Sequence, residues 1–220
     1  TSRKNKNGLN EVKHVAGIEL AYDKKEQRLL VAIAVLDLNS NSILETKLYE
    51  EEITLPYIQS LYSLKELKPA LASFQSISKK IDLIVCGAPG MAHPKEVGLA
   101  TAIGIATGLP SIGITTGRLV GYFDSKKLGN DRGSTQPLRW NSKNVGLVYR
   151  SQADESPLVN SIGHKVDLKT AKKWARRFCD QSFIPAPLLQ AKTLFEKGRN
   201  LSFISDFSWF EEESPSDDPS

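Results

Sequence analysis

The chain has 220 residues, 40% of them hydrophobic, enough to bury a full core in a single domain. Its longest apolar runs, such as Leu29 to Leu36, are too short to cross a bilayer. The N-terminus also lacks the charged, apolar, small-residue order of a signal peptide, so a soluble, intracellular protein with no membrane partner is expected. Lys and Arg total 29 against 25 acids, but the last twenty residues hold six of the acids and no base, leaving 29 against 19 over residues 1–200. A body of that charge suits nucleic acid through phosphate neutralisation, and equally suits a merely solvated surface.

In chain order, residues 1–12 are polar and basic and read as a mobile arm. His14 to Tyr22 and Leu29 to Leu38 are predicted strands separated by a turn over Asp23–Glu26, and Ile43 to Ile53 is a third with alternating polarity. Three strands in a row predict an antiparallel meander. The period then becomes helical, with Leu64, Leu67, Leu71 and Phe74 on one side and Pro69 among the early turns. A short buried strand, Leu83 to Cys86, is followed by a helix from Pro94 to about Thr107 and a strand Ser111 to Thr115, the pattern of a parallel crossover.

Gly146 to Tyr149 and Leu158 to Ile162 read as two further strands. From Leu168 a helix is sharply two-sided: Ala171, Trp174, Ala175 and Phe178 form the packing face, and Lys169, Lys172, Lys173, Arg176 and Arg177 a basic stripe. Lys172, Lys173 and Arg176 are therefore candidate phosphate contacts, a solvated face being the plain alternative. Pro185 to Gly198 is a predicted helix, and residues 201–220 read as an acidic tail, disordered apart from its aromatics. The tail's Phe203, Phe207, Trp209 and Phe210 ahead of Glu211–Glu213 would suit a basic groove on a protein partner, the plain alternative being a solubilising tail whose aromatics fold back on the body. Cys86 and Cys179 lie 93 positions apart and make neither a disulfide framework nor a paired-cysteine zinc site.

Three antiparallel strands, then helix, strand, helix, strand, is the order of a ribonuclease H-like α/β fold, a mixed sheet flanked by helices. Within it, HVAGIELAYD, ITLPYIQSLYSLKELKPAL, DLIVCGAPGMAHPKEVGLATAIGIATGLPSIGITTGRLVG and SIGHKVDLKTAKKW together resemble the endonuclease V family, over about residues 14–198. The resemblance implies binding of DNA or RNA with deoxyinosine or inosine and Mg²⁺-dependent cutting 3′ of the lesion. It implies a wedge at Pro56, Tyr57 and Ile58. It also implies a flipped-base pocket from Gly90, His93 and Gly98, and a remnant catalytic set of Glu19, Glu66 and His164.

Five positions depart from the family pattern. The strand ending at Gly87 lacks the ligand aspartate, with Ala88 in place of the following glycine. Glu19 stands where the family has a shorter aspartate, Thr116 where it has a lysine beside the metals, and Lys169 where it has an acid. Mg²⁺ requires near-octahedral oxygen ligands, so no metal is expected, with Mg²⁺ only if nuclease activity persists. The Lys169 ammonium would fill the lost cation's volume and pair with Glu19 or Glu66. Three readings follow: a pseudonuclease that binds nucleic acid, a scaffold subunit without nucleic-acid binding, and a weak nuclease with Glu19, Glu66 and His164 holding one metal.

Overall fold

The computed structural model describes residues 12–23, 25–52, 62–195 and 201–204. Strands β1 (His14–Asp23), β2 (Arg28–Asp37) and β3 (Ser42–Glu52) form the expected meander. β1 and β2 are buried along nearly their whole length, so they read as continuous apolar runs, whereas β3 alternates because it is an edge. Helix α1 (Tyr62–Gln75) passes through Pro69 without ending. β4 (Leu83–Cys86), α2 (Leu99–Thr107) and β5 (Ser111–Thr115) make the crossover, with β4 parallel to both β1 and β5.

After β5 come β6 (Thr135–Trp140), β7 (Lys143–Tyr149), β8 (Leu158–Ile162), α3 (Leu168–Phe178), α4 (Ala186–Lys192) and β9 (Leu201–Phe203). The sheet order is β3-β2-β1-β4-β5-β8-β7-β6, and β9 pairs with β1. Ala16, Ile18 and Leu20 of β1 pack in one layer with Ala70 of α1 and Leu99 and Ile103 of α2. On the other face Val15 packs with Trp174 and Phe178 of α3 and Leu188 of α4, while Ala21 packs with Ala191. Glu19, lying between Ile18 and Leu20, therefore points to the α4 side.

Several expectations need correction. The helix anticipated from Pro94 begins at Leu99, because Glu96 sits at φ 54° and the Gly98 N–H bonds to the Gly90 carbonyl (2.8 Å), outside a helical ladder. The helix anticipated to Gly198 ends at Lys192. β6 was not foreseen: it is an edge strand carrying Pro137, which lacks the donor an interior strand would need. Val12, assigned to the mobile arm, is buried in the core. Leu201–Phe203, assigned to the disordered tail, is strand β9, with Ala21 opposite Phe203 and Asp23 opposite Leu201. Residues 1–11 and 205–220, and the wedge residues Pro56, Tyr57 and Ile58, lie outside the described residues. Among the described residues no helix is long and apolar enough to cross a membrane.

Candidate functional site

The register of β1 against β4 puts Ile18 beside Cys86, and the Gly87 N–H donates to the Ile18 carbonyl at 2.8 Å. Glu19 and Gly87 are thus the next neighbours at the carboxyl end of β4. A Cβ built on Gly87 would stand 2.4 Å from Glu19 Oε2 and 2.5 Å from its Cδ. The glutamate's additional methylene has carried its carboxylate into the volume a side chain at residue 87 would need. The two positions therefore compete for one volume, and the carboxylate that fills it is buried, with the residue 0% exposed.

Helix α4 delivers a cation to this carboxylate. It lies directly on the β1 backbone at Gly17, where a Cβ would meet the Pro187 carbonyl oxygen at 2.0 Å. Five residues of helix advance about 7.5 Å and two of strand about 6.6 Å, so contact at Gly17–Pro187 brings Lys192 level with Glu19. Lys192 Nζ is 3.8 Å from Glu19 Oε1. Thr115, Thr116 and Leu188 line the same recess, so Thr116 does lie beside the site. Lys169 does not: it is exposed on the first turn of α3, and the expected pairing of its ammonium with Glu19 or Glu66 is overturned. The cation beside Glu19 is Lys192 instead. Lys192 is the single charged residue in residues 185–195, but nothing local in the sequence ties it to Glu19.

Glu66 is 3% exposed and accepts a hydrogen bond from the Tyr22 hydroxyl at 3.0 Å. Burial raises its pKa from the ordinary 4.5 to about 8, against the smaller lowering effect of the Tyr22 bond, so it holds its proton at neutral pH. His164 is far from Glu19. Its N–H donates to Ser111 Oγ and its carbonyl accepts from the Ser111 N–H, both at 2.9 Å, which fixes it at the start of β5. Glu19 instead shares its recess with Thr115, at the end of β5, about 13 Å along the strand. The expected set of Glu19, Glu66 and His164 is not assembled, and among the described residues no three His, Cys, Asp or Glu side chains come together to hold a metal.

The donors present do not fit Mg²⁺, which takes oxygen ligands at about 2.0–2.1 Å and keeps several waters. The position offers one carboxylate with an ammonium beside it and, at Gly87, no side chain at all. Neither thiol supplies a nucleophile. Burial, with Glu19 and Glu66 adding negative charge, pushes Cys86 well above its usual range, and burial pushes Cys179 up to about 12.

The family model for Endonuclease V matches residues 1–193. The chain belongs to the endonuclease V family. Endonuclease V of Nostoc punctiforme is 32% identical over 174 residues, 79% of this chain and 78% of the relative. The crystal structure of Endonuclease V from Streptomyces avermitilis superposes with a TM-score of 0.77 at 31% identity, covering 83% of this chain and 79% of that one. Ciona intestinalis Endonuclease V, solved with a 24mer DNA containing an inosine followed by a ribo-adenosine, shares the fold at a TM-score of 0.72 and 19% identity, over 88% of this chain and 89% of that one. The ribonuclease H-like α/β fold expected from the order of elements is the fold of this chain.

The loop that the endonuclease V resemblance assigns to base recognition is held by backbone contacts. Ser161 Oγ accepts from the N–H groups of Gly90 and Ala92, both at 2.9 Å. A Cβ on Gly90 would be 2.2 Å from the Ile162 carbonyl oxygen, and one on Gly98 2.3 Å from that of Pro89. Both glycines are thus needed for the loop to close. His93 Nδ1 accepts from the Lys95 N–H at 3.2 Å, and burial followed by the Lys95 charge lowers its pKa below the ordinary 6.5. On α3, Lys172 Nζ donates to Thr135 Oγ1 at 2.8 Å. The Lys173 and Arg177 cations lie 5.5 and 5.3 Å from the Trp174 ring, and Arg176 is exposed.

Proposed function

We propose that this endonuclease V family protein binds nucleic acid at inosine or other deaminated sites and has lost metal-dependent cleavage. The observation that carries the reading is the exchange at Glu19 and Gly87: the ligand position has no side chain, and its space is filled by the lengthened neighbouring acid. Losing carboxylates from a metal-dependent hydrolase removes both nucleophile activation and stabilisation of the leaving oxygen. Binding rests on parts of the surface that the exchange leaves alone. The exposed cations of α3 supply phosphate contacts, and the loop carrying Gly90, His93 and Gly98 is ordered by Ser161. The inosine-containing DNA held by the Ciona relative supports the choice of substrate class.

The test is fluorescence-anisotropy binding and Mg²⁺- or Mn²⁺-dependent cleavage, run on one purified sample with inosine-containing and matched control DNA and RNA. Tighter binding to the inosine strands without cutting is the expected result. Metal-dependent cutting abolished by Glu66→Ala would overturn the loss of cleavage. Absence of binding to every strand would turn the reading to a protein-interaction subunit, with the acidic segment 205–220 as the place to seek its partner.

A further inference from the structure

The surroundings of Lys192 extend beyond its contact with Glu19. Its Nζ also lies 4.5 Å from the ring of Phe203, a cation–π distance, and that ring packs edge-on against Phe195 at 5.5 Å. Phe203 belongs to β9, and β9 is placed by the sheet. β2 occupies one edge of β1 along its full length, so β4 and β9 share the other. β4 ends with the Gly87 N–H on the Ile18 carbonyl, and antiparallel β9 runs in from Asp23 to end two residues further along β1, where the Ile204 N–H, just past Phe203, bonds to the Leu20 carbonyl at 3.0 Å. The end of β9 therefore lies next to the end of β4, the strand that should carry the metal ligand.

We propose that the Lys192 ammonium is a built-in cation that replaces the divalent metal at Glu19, and that β9 closes the site over it through Phe203. This deepens the proposed loss of cleavage by naming what occupies the centre. Three features favour an ammonium there. Lys192 Nζ lies within ion-pair distance of Glu19 Oε1, at 3.8 Å, and Gly87 brings no second carboxylate to the position. An aromatic face attracts a cation on an alkyl stem but offers no oxygen to a hydrated Mg²⁺. The Lys192 side chain is 19% exposed and that of Glu19 1%, so the pair is sheltered enough that neither partner is readily dispensed with. The carboxylate then has a counter-charge without metal, and the fold is indifferent to chelation.

The experiment is a double-mutant cycle with Glu19→Gln, Lys192→Met and the pair together, each full-length protein melted in EDTA and in millimolar Mg²⁺. The wild type is expected to melt identically in both. Lys192→Met alone should lower the midpoint by on the order of 10 °C, and adding Glu19→Gln should recover most of that loss. Additive losses would overturn the proposal, as would a Mg²⁺-dependent rise in the wild-type midpoint. A second readout survives a Lys192→Met that does not fold. Acetylation of Lys192 by an N-hydroxysuccinimide ester, followed by peptide mass spectrometry, should be several-fold faster in Phe203→Ala than in the wild type, and equal rates would refute closure by β9. None of these readouts involves nucleic acid, so their failure is distinct from failure of the binding reading.

Discussion

Glu19 and Gly87 share one volume: the carboxylate of the first ends 2.4 Å from where the Cβ of the second would begin. Restoring an acid by Gly87→Asp alone therefore forces a side chain into a filled and buried space, next to a like charge. Overpacking of this kind costs about 1–3 kcal/mol, and the repulsion adds to it. Glu19→Asp withdraws the carboxylate by one methylene and makes room. The double variant Glu19→Asp/Gly87→Asp is expected to be more stable than Gly87→Asp, a sign reversal that thermal melts of the three proteins would reveal. Equal instability of single and double variants would mean that the two positions do not exchange space.

Glu66 sets a pH dependence whose sign follows from burial. In the unfolded chain it titrates near its ordinary 4.5, and in the fold near 8. Between those values the native state keeps a proton that the unfolded state has released, so stability falls as pH rises through the window and levels off above it. The slope it contributes is at most about 1.4 kcal/mol per pH unit. Glu66→Gln keeps an oxygen for the Tyr22 hydroxyl and removes the titration. Its urea-denaturation free energies should be flatter between about pH 5 and pH 8 than those of the wild type, and parallel slopes would show that Glu66 is ionised in the fold.

What could be read from the chain was whatever local pattern or motif carries. The β1–β3 meander, the β4-α2-β5 crossover and the two-sided α3 all announce themselves by period, and the departures at Glu19, Gly87 and Thr116 by position within a motif. Lys192 and His164 could not be placed that way. Lys192 reaches Glu19 only because α4 rests on the bare backbone of Gly17, a contact between residues 170 positions apart. His164 follows a Gly-His motif, yet its bonds to Ser111 hold it at the wrong end of β5. β9 is three residues long, too short to show a periodicity of its own, and exists because β1 has an open edge beyond β4.

Two glycines separate a space requirement from a backbone one. Gly90→Ala places a methyl 2.2 Å from the Ile162 carbonyl oxygen, which cannot move without parting β8 from the loop. Gly108→Ala meets nothing within 4 Å but sits at φ 71°, where an L side chain costs roughly 1–2 kcal/mol. Gly90→Ala should be the more destabilising in denaturant melts, and should weaken binding of inosine-containing strands by disordering the loop. A Gly90→Ala protein as stable as Gly108→Ala would show that the loop re-seats itself and that the close approach is not needed.

The basic face of α3 makes a prediction about salt and not about stability. Lys173 and Arg176 are exposed, while the buried side of the helix is secured by Trp174 and Phe178, whose rings stack at 5.3 Å. Replacing both cations by alanine leaves that packing in place and removes only the exposed Lys173 contact with the Trp174 ring, so the melting midpoint should shift by no more than a few degrees, alanine being the better helix former. If both contact phosphates, the slope of log K against log salt should become shallower by about 1.8 on duplex DNA, or about 1.4 on single strands. The loss of affinity should be the same for inosine-containing and control strands, because a phosphate contact carries no base information. An unchanged slope would assign the stripe to solvent and move the phosphate contacts elsewhere on the basic body. A loss confined to inosine strands would instead bring α3 into base recognition.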